Sequence, residues 1–118
     1  MRGLTILVTG SDPARFRSAL ELAAVQAALG ARSRLFLQTV AVPLLAEEDG
    51  GDARYAAAGL PTRGELIDTC LALGAEIMVC QSGLALAGLK LATLDARFAA
   101  SGLTGLLAGI DDDRLVMV

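Results

Sequence analysis

Histidine and tryptophan are both absent from this sequence, and three Phe and one Tyr are its only aromatics. Without histidine, no Ser-His-Asp or Cys-His relay can be assembled within the chain, nor any zinc site that uses imidazole. Two cysteines are too few for a four-thiolate zinc site. Ten Lys and Arg stand against thirteen Asp and Glu, a net charge of -3. That balance leaves no basic stripe for phosphates, and the few aromatics make no platform for bases, so nucleic acid is excluded as a partner. Long hydrophobic runs are missing too. The longest charge-free stretches, residues 77–89 and 98–110, fall short of the ~18 apolar residues of a membrane span, and Ser and Gly break both. The apolar stretch within Met1-Arg2-Gly3-Leu4-Thr5-Ile6-Leu7-Val8 is too short for a secretory signal and has no cleavage site, which predicts a cytoplasmic protein.

What is present is apolar. Hydrophobic residues make up 54% of 118, enough to exclude disorder and to fill the core of one domain. Short continuous apolar runs alternate with helical segments, the pattern of a parallel sheet covered on both faces. The predicted fold is a single-domain, three-layer α/β/α arrangement with a mainly parallel sheet of about five strands. Residues 4–8 form the first strand, and Ser11 or Asp12 caps a helix with Pro13 in its first turn. Phe16, Leu20, Ala23, Ala24 and Ala27 give that helix one apolar face, and Gly30 stops it. A second strand lies within 33–38. Residues 40–61 make a long connection that includes Glu47, Glu48, Asp49 and Asp52, and such connections are often functional or mobile. Thr62 caps the next helix with Glu65 as its capping-box partner. A third strand runs to Cys80, followed by a short helix over about 84–91. Residues 97–100 read as a fourth strand, 103–108 as a short helix and 114–118 as a fifth strand.

Cys80 is the one reactive atom in a telling place. It closes the apolar run 75–79, and Gln81-Ser82-Gly83 follow at once, as where a buried strand opens into a turn. In a parallel sheet, ligands gather at the carboxyl ends of strands. A thiol there can face solvent, with the amides of Ser82, Gly83 and Leu84 as the expected stabilisers of its thiolate. The next cation along the chain is Lys90, so backbone dipoles must carry the activation. From the residues alone two readings stand: a functional thiol, or a small buried hydrophobe. Cys70 sits mid-helix on the apolar stripe with Leu66, Ile67 and Leu73 or Gly74, and reads as core. A Cys70–Cys80 bridge is not expected. A helix and strand running antiparallel through Gly74 place the two cysteines about 6 Å and about 16 Å from the turn, whereas bridged α-carbons lie within about 7 Å.

The segments Gly59-Leu60-Pro61-Thr62-Arg63-Gly64-Glu65-Leu66-Ile67, Gly74-Ala75-Glu76-Ile77-Met78-Val79-Cys80-Gln81-Ser82 and Gly88-Leu89 together resemble the DsrE/DsrF-like sulfur-relay family, in its Cys-Gln branch. The resemblance spans nearly the whole chain and implies one DsrE/DsrF-like domain over 1–118. It further implies a homotrimer or homohexamer, and a persulfide carried on Cys80 from a sulfur-donor protein to an acceptor protein. No metal or organic cofactor is implied. Gln81 matches the neighbour of the family's sulfur-bearing cysteine and is expected to orient the turn. Gly83, Leu84 and Ala87 depart from the pattern, standing where many relatives carry a second Cys or Ser, a Met, and a Met or Arg. A second thiol is therefore missing from the turn, and a non-catalytic oligomeric binding or scaffold module stands as the alternative.

Three further features complete the reading. Thr9-Gly10-Ser11-Asp12 lacks the patterns of nucleotide-binding loops and reads as a cap, with Gly10 and Ser11 expected to help wall the Cys80 pocket. Glu47, Glu48, Asp49 and Asp52 lack the alternating spacing of a calcium loop, and Asp111-Asp112-Asp113 reads as a polar turn. Tyr55 and Pro61 are expected either to fold over Cys80 as a lid or to contact another subunit.

Overall fold

In a computed structural model, which describes residues 1–47 and 52–118, five strands form one all-parallel sheet in the order β4-β3-β2-β1-β5. The strands are β1 (Leu4–Val8), β2 (Ser33–Leu37), β3 (Glu76–Cys80), β4 (Ala99–Ser101) and β5 (Arg114–Met117). Between them run α1 (Pro13–Ala28), a 3-10 segment (Thr39–Leu45), α2 (Asp52–Ala57), α3 (Arg63–Ala72), α4 (Gln81–Ala87), a short 3-10 turn (Leu91–Thr93) and α5 (Leu103–Ala108). Three steps in one direction, β1 to β4, followed by one return to β5, require helices on both faces when crossovers are right-handed. The contacts agree. Ser33 Oγ donates to Ala23 O of α1, and Cys70 Sγ of α3 donates to Leu20 O of α1. On the other face, Arg34 Nη2 donates to Leu106 O of α5.

β1 and β2 are buried along their whole length, including the polar Thr5, Ser33 and Arg34, whose side chains are hydrogen-bonded. Phe16, Leu20, Ile6, Leu35, Phe36, Leu37, Ile77 and Val79 form the centre of the core. Asp12, rather than Ser11, caps α1, its carboxylate accepting from Ala14 N at 3.0 Å. Thr62 and Glu65 form the expected capping box on α3. Beneath the amino ends of the strands, Thr5 Oγ1 donates to Asp113 Oδ2 at 2.9 Å, and Arg34 lies 3.5 Å from the same oxygen. Asp111-Asp112-Asp113 is therefore more than a solvated turn, because Asp113 is a buried partner in an ion pair.

The structure corrects three boundaries. The helix after β3 starts at Gln81 and ends at Ala87, where Gly88 adopts a left-handed conformation (φ 66°). Gly83 belongs inside it, not to a preceding turn. β4 covers Ala99–Ser101, because Arg97 is drawn out of the sheet by Asp95 and Asp68, 2.6 and 2.7 Å away. Residues 40–61 are not one irregular connection but contain most of the 3-10 segment and all of α2. Glu48 and Asp49 lie outside the described residues.

Candidate functional site at the carboxyl edge of β3

The register aligns Cys80 with Ser101 of β4 and Val79 with Leu37 of β2. Thr39 therefore follows β2 close beside Cys80. Its backbone turns back with φ 42°, a value that β-branched residues rarely adopt. The turn sends the 3-10 segment against the first turn of α4. Gly83 is what permits this approach: a Cβ there would lie 2.6 Å from Thr39 O and 2.5 Å from Val42 Cγ2. The glycine is required by close packing rather than by backbone conformation.

This packing covers the thiol. Cys80 is 6% exposed, so the solvent-facing thiol expected from sequence is nearly closed over. Burial is the largest single influence on its ionisation and works against the thiolate. Hydrogen bonds from the amides of Thr39, Gly83 and Ser82, and from the Thr39 hydroxyl, together outweigh it, so the Cys80 pKa falls below that of an ordinary thiol. Two of the three amides foreseen from sequence take part. Leu84 is not one of these donors; its side chain is buried in the core. Thr39 was not foreseen, since its role depends on a fold that brings the end of β2 beside the end of β3.

The other candidates fall into two groups. Gln81 and Ser82 are exposed on the first turn of α4, directly after the thiol. Gly10 and Ser11 follow β1 at the same edge of the sheet; Ser11 is exposed, and nothing lies within 4 Å of a Cβ built on Gly10. Tyr55 stacks on Arg17 of α1, with the guanidinium carbon 3.7 Å from the ring centroid, and Pro61 is exposed. The Tyr55 ring is thus held by α1. Cys70 is fully buried, and desolvation pushes its pKa up to about 11. Both cysteines are free, as the distance argument required. Among the described residues no group of three or more Cys, Asp or Glu is placed to hold a metal ion, and no helix is long and apolar enough to cross a membrane.

A solved structure shares this architecture throughout: the crystal structure of the ychN protein from E. coli superposes with a TM-score of 0.76 over 100% of both chains, at 16% sequence identity. The chain therefore shares the fold of that protein. At that identity the likeness establishes the fold alone. No family model and no curated protein matches the sequence.

Proposed function

We infer that this protein is a DsrE/DsrF-like sulfur carrier, in which Cys80 accepts sulfane sulfur as a persulfide and passes it to a partner thiol. The observation that carries this reading is a lone cysteine at the carboxyl end of β3, directly before the first turn of α4 and at the carboxyl edge of the parallel sheet. In loading, the Cys80 thiolate attacks the outer sulfur of a donor persulfide. The new S–S bond forms at Cys80 as the donor's S–S bond breaks, and the donor departs as a thiolate. In unloading, an acceptor thiolate attacks the outer sulfur and Cys80 departs as a thiolate. Neither step consumes an oxidant or reductant, and each begins or ends with negative charge on the Cys80 sulfur, where the donors act. Gln81 orients the turn, Ser82 and Gly83 supply amides, Leu84 anchors α4 in the core, and Gly10 and Ser11 border the approach. Residues 1–118 act as a single domain with no metal or organic cofactor, in a reducing cytoplasm where a lone thiol stays free.

The proposed assembly is a homotrimer or homohexamer. By register, Leu115 and Met117 share the sheet face of Arg34, Phe36, Met78 and Cys80. They remain exposed, as do Leu103 and Leu107 on α5. Burying such a patch against further copies is the usual resolution. Light scattering that gives a 12.1 kDa monomer at micromolar concentration rejects the assembly.

The low exposure of Cys80 favours a second reading, an oligomeric binding or scaffold module that keeps the fold without sulfur transfer. Intact-mass measurement after incubation with a persulfide donor separates the two. The carrier gains about 32 Da, one sulfur atom, and Cys80→Ser abolishes the gain. An unchanged mass under conditions that load a competent carrier leaves the scaffold.

A further inference from the structure

Arg63, the first residue of α3, is a buried charge that sulfur chemistry leaves unused. It is 4% exposed and belongs to no ion pair among the described residues. Its guanidinium lies 5.7 Å from the Phe16 ring, and its Nη2 donates to the Glu47 carbonyl. No other acceptor meets that guanidinium among the described residues. Yet its remaining N–H groups are not sealed in, because Arg17 Nη1 alone among those residues is a buried side-chain polar atom without a partner. They open instead onto a cavity of about 390 Å³, whose walls include Arg63, Leu44, Leu45, Glu47, Asp52 and Ile67.

Two carboxylates line the same space, and both belong to residues tied to Arg63. Asp52 Oδ1 accepts from Arg63 N at 2.8 Å, and the backbone of Glu47 takes the Nη2 bond. Neither acid is ion-paired among the described residues. A buried charge without a counter-ion is costly, and here both signs surround one cavity without neutralising each other. A simple anion entering to meet Arg63 is repelled by Glu47 and Asp52, and a simple cation meets the reverse conflict. A small molecule that carries both charges satisfies all three groups.

We propose that this cavity binds a free aliphatic α-amino acid, its carboxylate on Arg63 and its ammonium between Glu47 and Asp52. A guanidinium donates to a carboxylate in a fixed fork geometry, and the three N–H donors of an ammonium suffice for two acids. Leu44, Leu45 and Ile67 form the apolar wall for the side chain, and the volume lies in the range of small-molecule sites. This inference does not rest on the persulfide reading.

Isothermal titration calorimetry of the full chain tests it with leucine, with isocaproate, which lacks the ammonium, and with isoamylamine, which lacks the carboxylate. Saturation is expected with leucine, and binding at least about tenfold weaker with either half-ligand. Arg63→Gln should weaken leucine about tenfold and leave isoamylamine no weaker. Glu47→Gln should also weaken leucine, by several-fold, but leave isocaproate no weaker. Glu47 is exposed, so its variant decides the matter if Arg63→Gln loses its circular-dichroism signature of folding. No saturation with leucine, a half-ligand that binds as tightly as leucine, or unchanged leucine affinity in Glu47→Gln overturns the proposal.

Discussion

The two cysteines are both shielded from water, at 0% and 6% exposure, yet their surroundings drive their ionisation in opposite directions. Cys70 lies between α1 and α3, where its S–H donates to the Leu20 carbonyl at 3.3 Å. Apolar packing and an acceptor both favour the neutral thiol. Cys80 lies at the end of a strand, where donors converge on it from the next helical turn and from the neighbouring connection. Exposure alone does not distinguish these sulfurs. The polarity of the groups that replace water does.

The largest test of this contrast is chemical. At neutral pH a thiol at about 11 is ionised at least a hundredfold less than one below 9.0. The weaker intrinsic nucleophilicity of the more acidic thiol returns roughly half of that on a logarithmic scale. Iodoacetamide should therefore label Cys80 more than about tenfold faster than Cys70, with the complete burial of Cys70 widening the gap. Peptide mapping over time measures both rates in one sample. Equal protection of the two would erase the contrast and, with it, the reactive site.

The second test concerns stability at alkaline pH. Cys70 is neutral when folded, with its pKa raised, so its contribution is complete below the ordinary thiol value near 9.0 and is lost as pH rises towards about 11. The loss approaches about 2 kcal/mol. The lowered pKa of Cys80 acts in reverse: its contribution grows as pH rises through the folded-state value and is lost on acidification. Urea melts of wild type and Cys70→Ala across pH 8–11 should converge as pH rises. Parallel curves would mean that the Cys70 thiol ionises as freely in the fold as outside it.

Gly83→Ala attacks the Cys80 side of the contrast. The added Cβ meets the Thr39 carbonyl and Val42 well inside contact distance, so α4 or the 3-10 segment must shift. The expected cost is about 1–3 kcal/mol. Separation of Thr39 from Cys80 should also raise the apparent pKa of alkylation. A stable variant with an unchanged pH–rate profile would show that this approach does not shape the thiol.

The sheet, the capping box of α3 and the place of Cys80 were legible because each is a local pattern. Short apolar runs, Ile6–Val8, Leu35–Leu37 and Ile77–Cys80, mark β1, β2 and β3, and Thr62 with Glu65 marks a helix start. The surroundings of Cys80 were only half legible. Ser82 and Gly83 follow it in sequence, but Thr39 arrives from a separate crossover. Gly83 suggested a turn because glycine commonly supplies backbone freedom, whereas here it supplies empty space inside α4. The division of 40–61 was hidden because Pro43 and the alanine run carry no clean helical period, and the pairing of Tyr55 with Arg17 joins residues distant in sequence.

Thr39 offers the finest test, because its two contributions oppose each other. A left-handed backbone at a β-branched residue costs about 1 kcal/mol or more, while its hydroxyl and amide support the Cys80 thiolate. Thr39→Gly removes the strain and the hydroxyl but leaves the amide. The variant should therefore melt higher, by an amount equivalent to about 1 kcal/mol, and yet alkylate several-fold more slowly at neutral pH. Thr39→Ser restores the hydroxyl and should recover most of the rate without the β-branched methyl. Slower alkylation in the glycine variant, reversed by serine, assigns the effect to the hydroxyl. If glycine speeds alkylation instead, the dominant role of Thr39 is to cover the sulfur, and loss of that cover outweighs loss of the hydrogen bond.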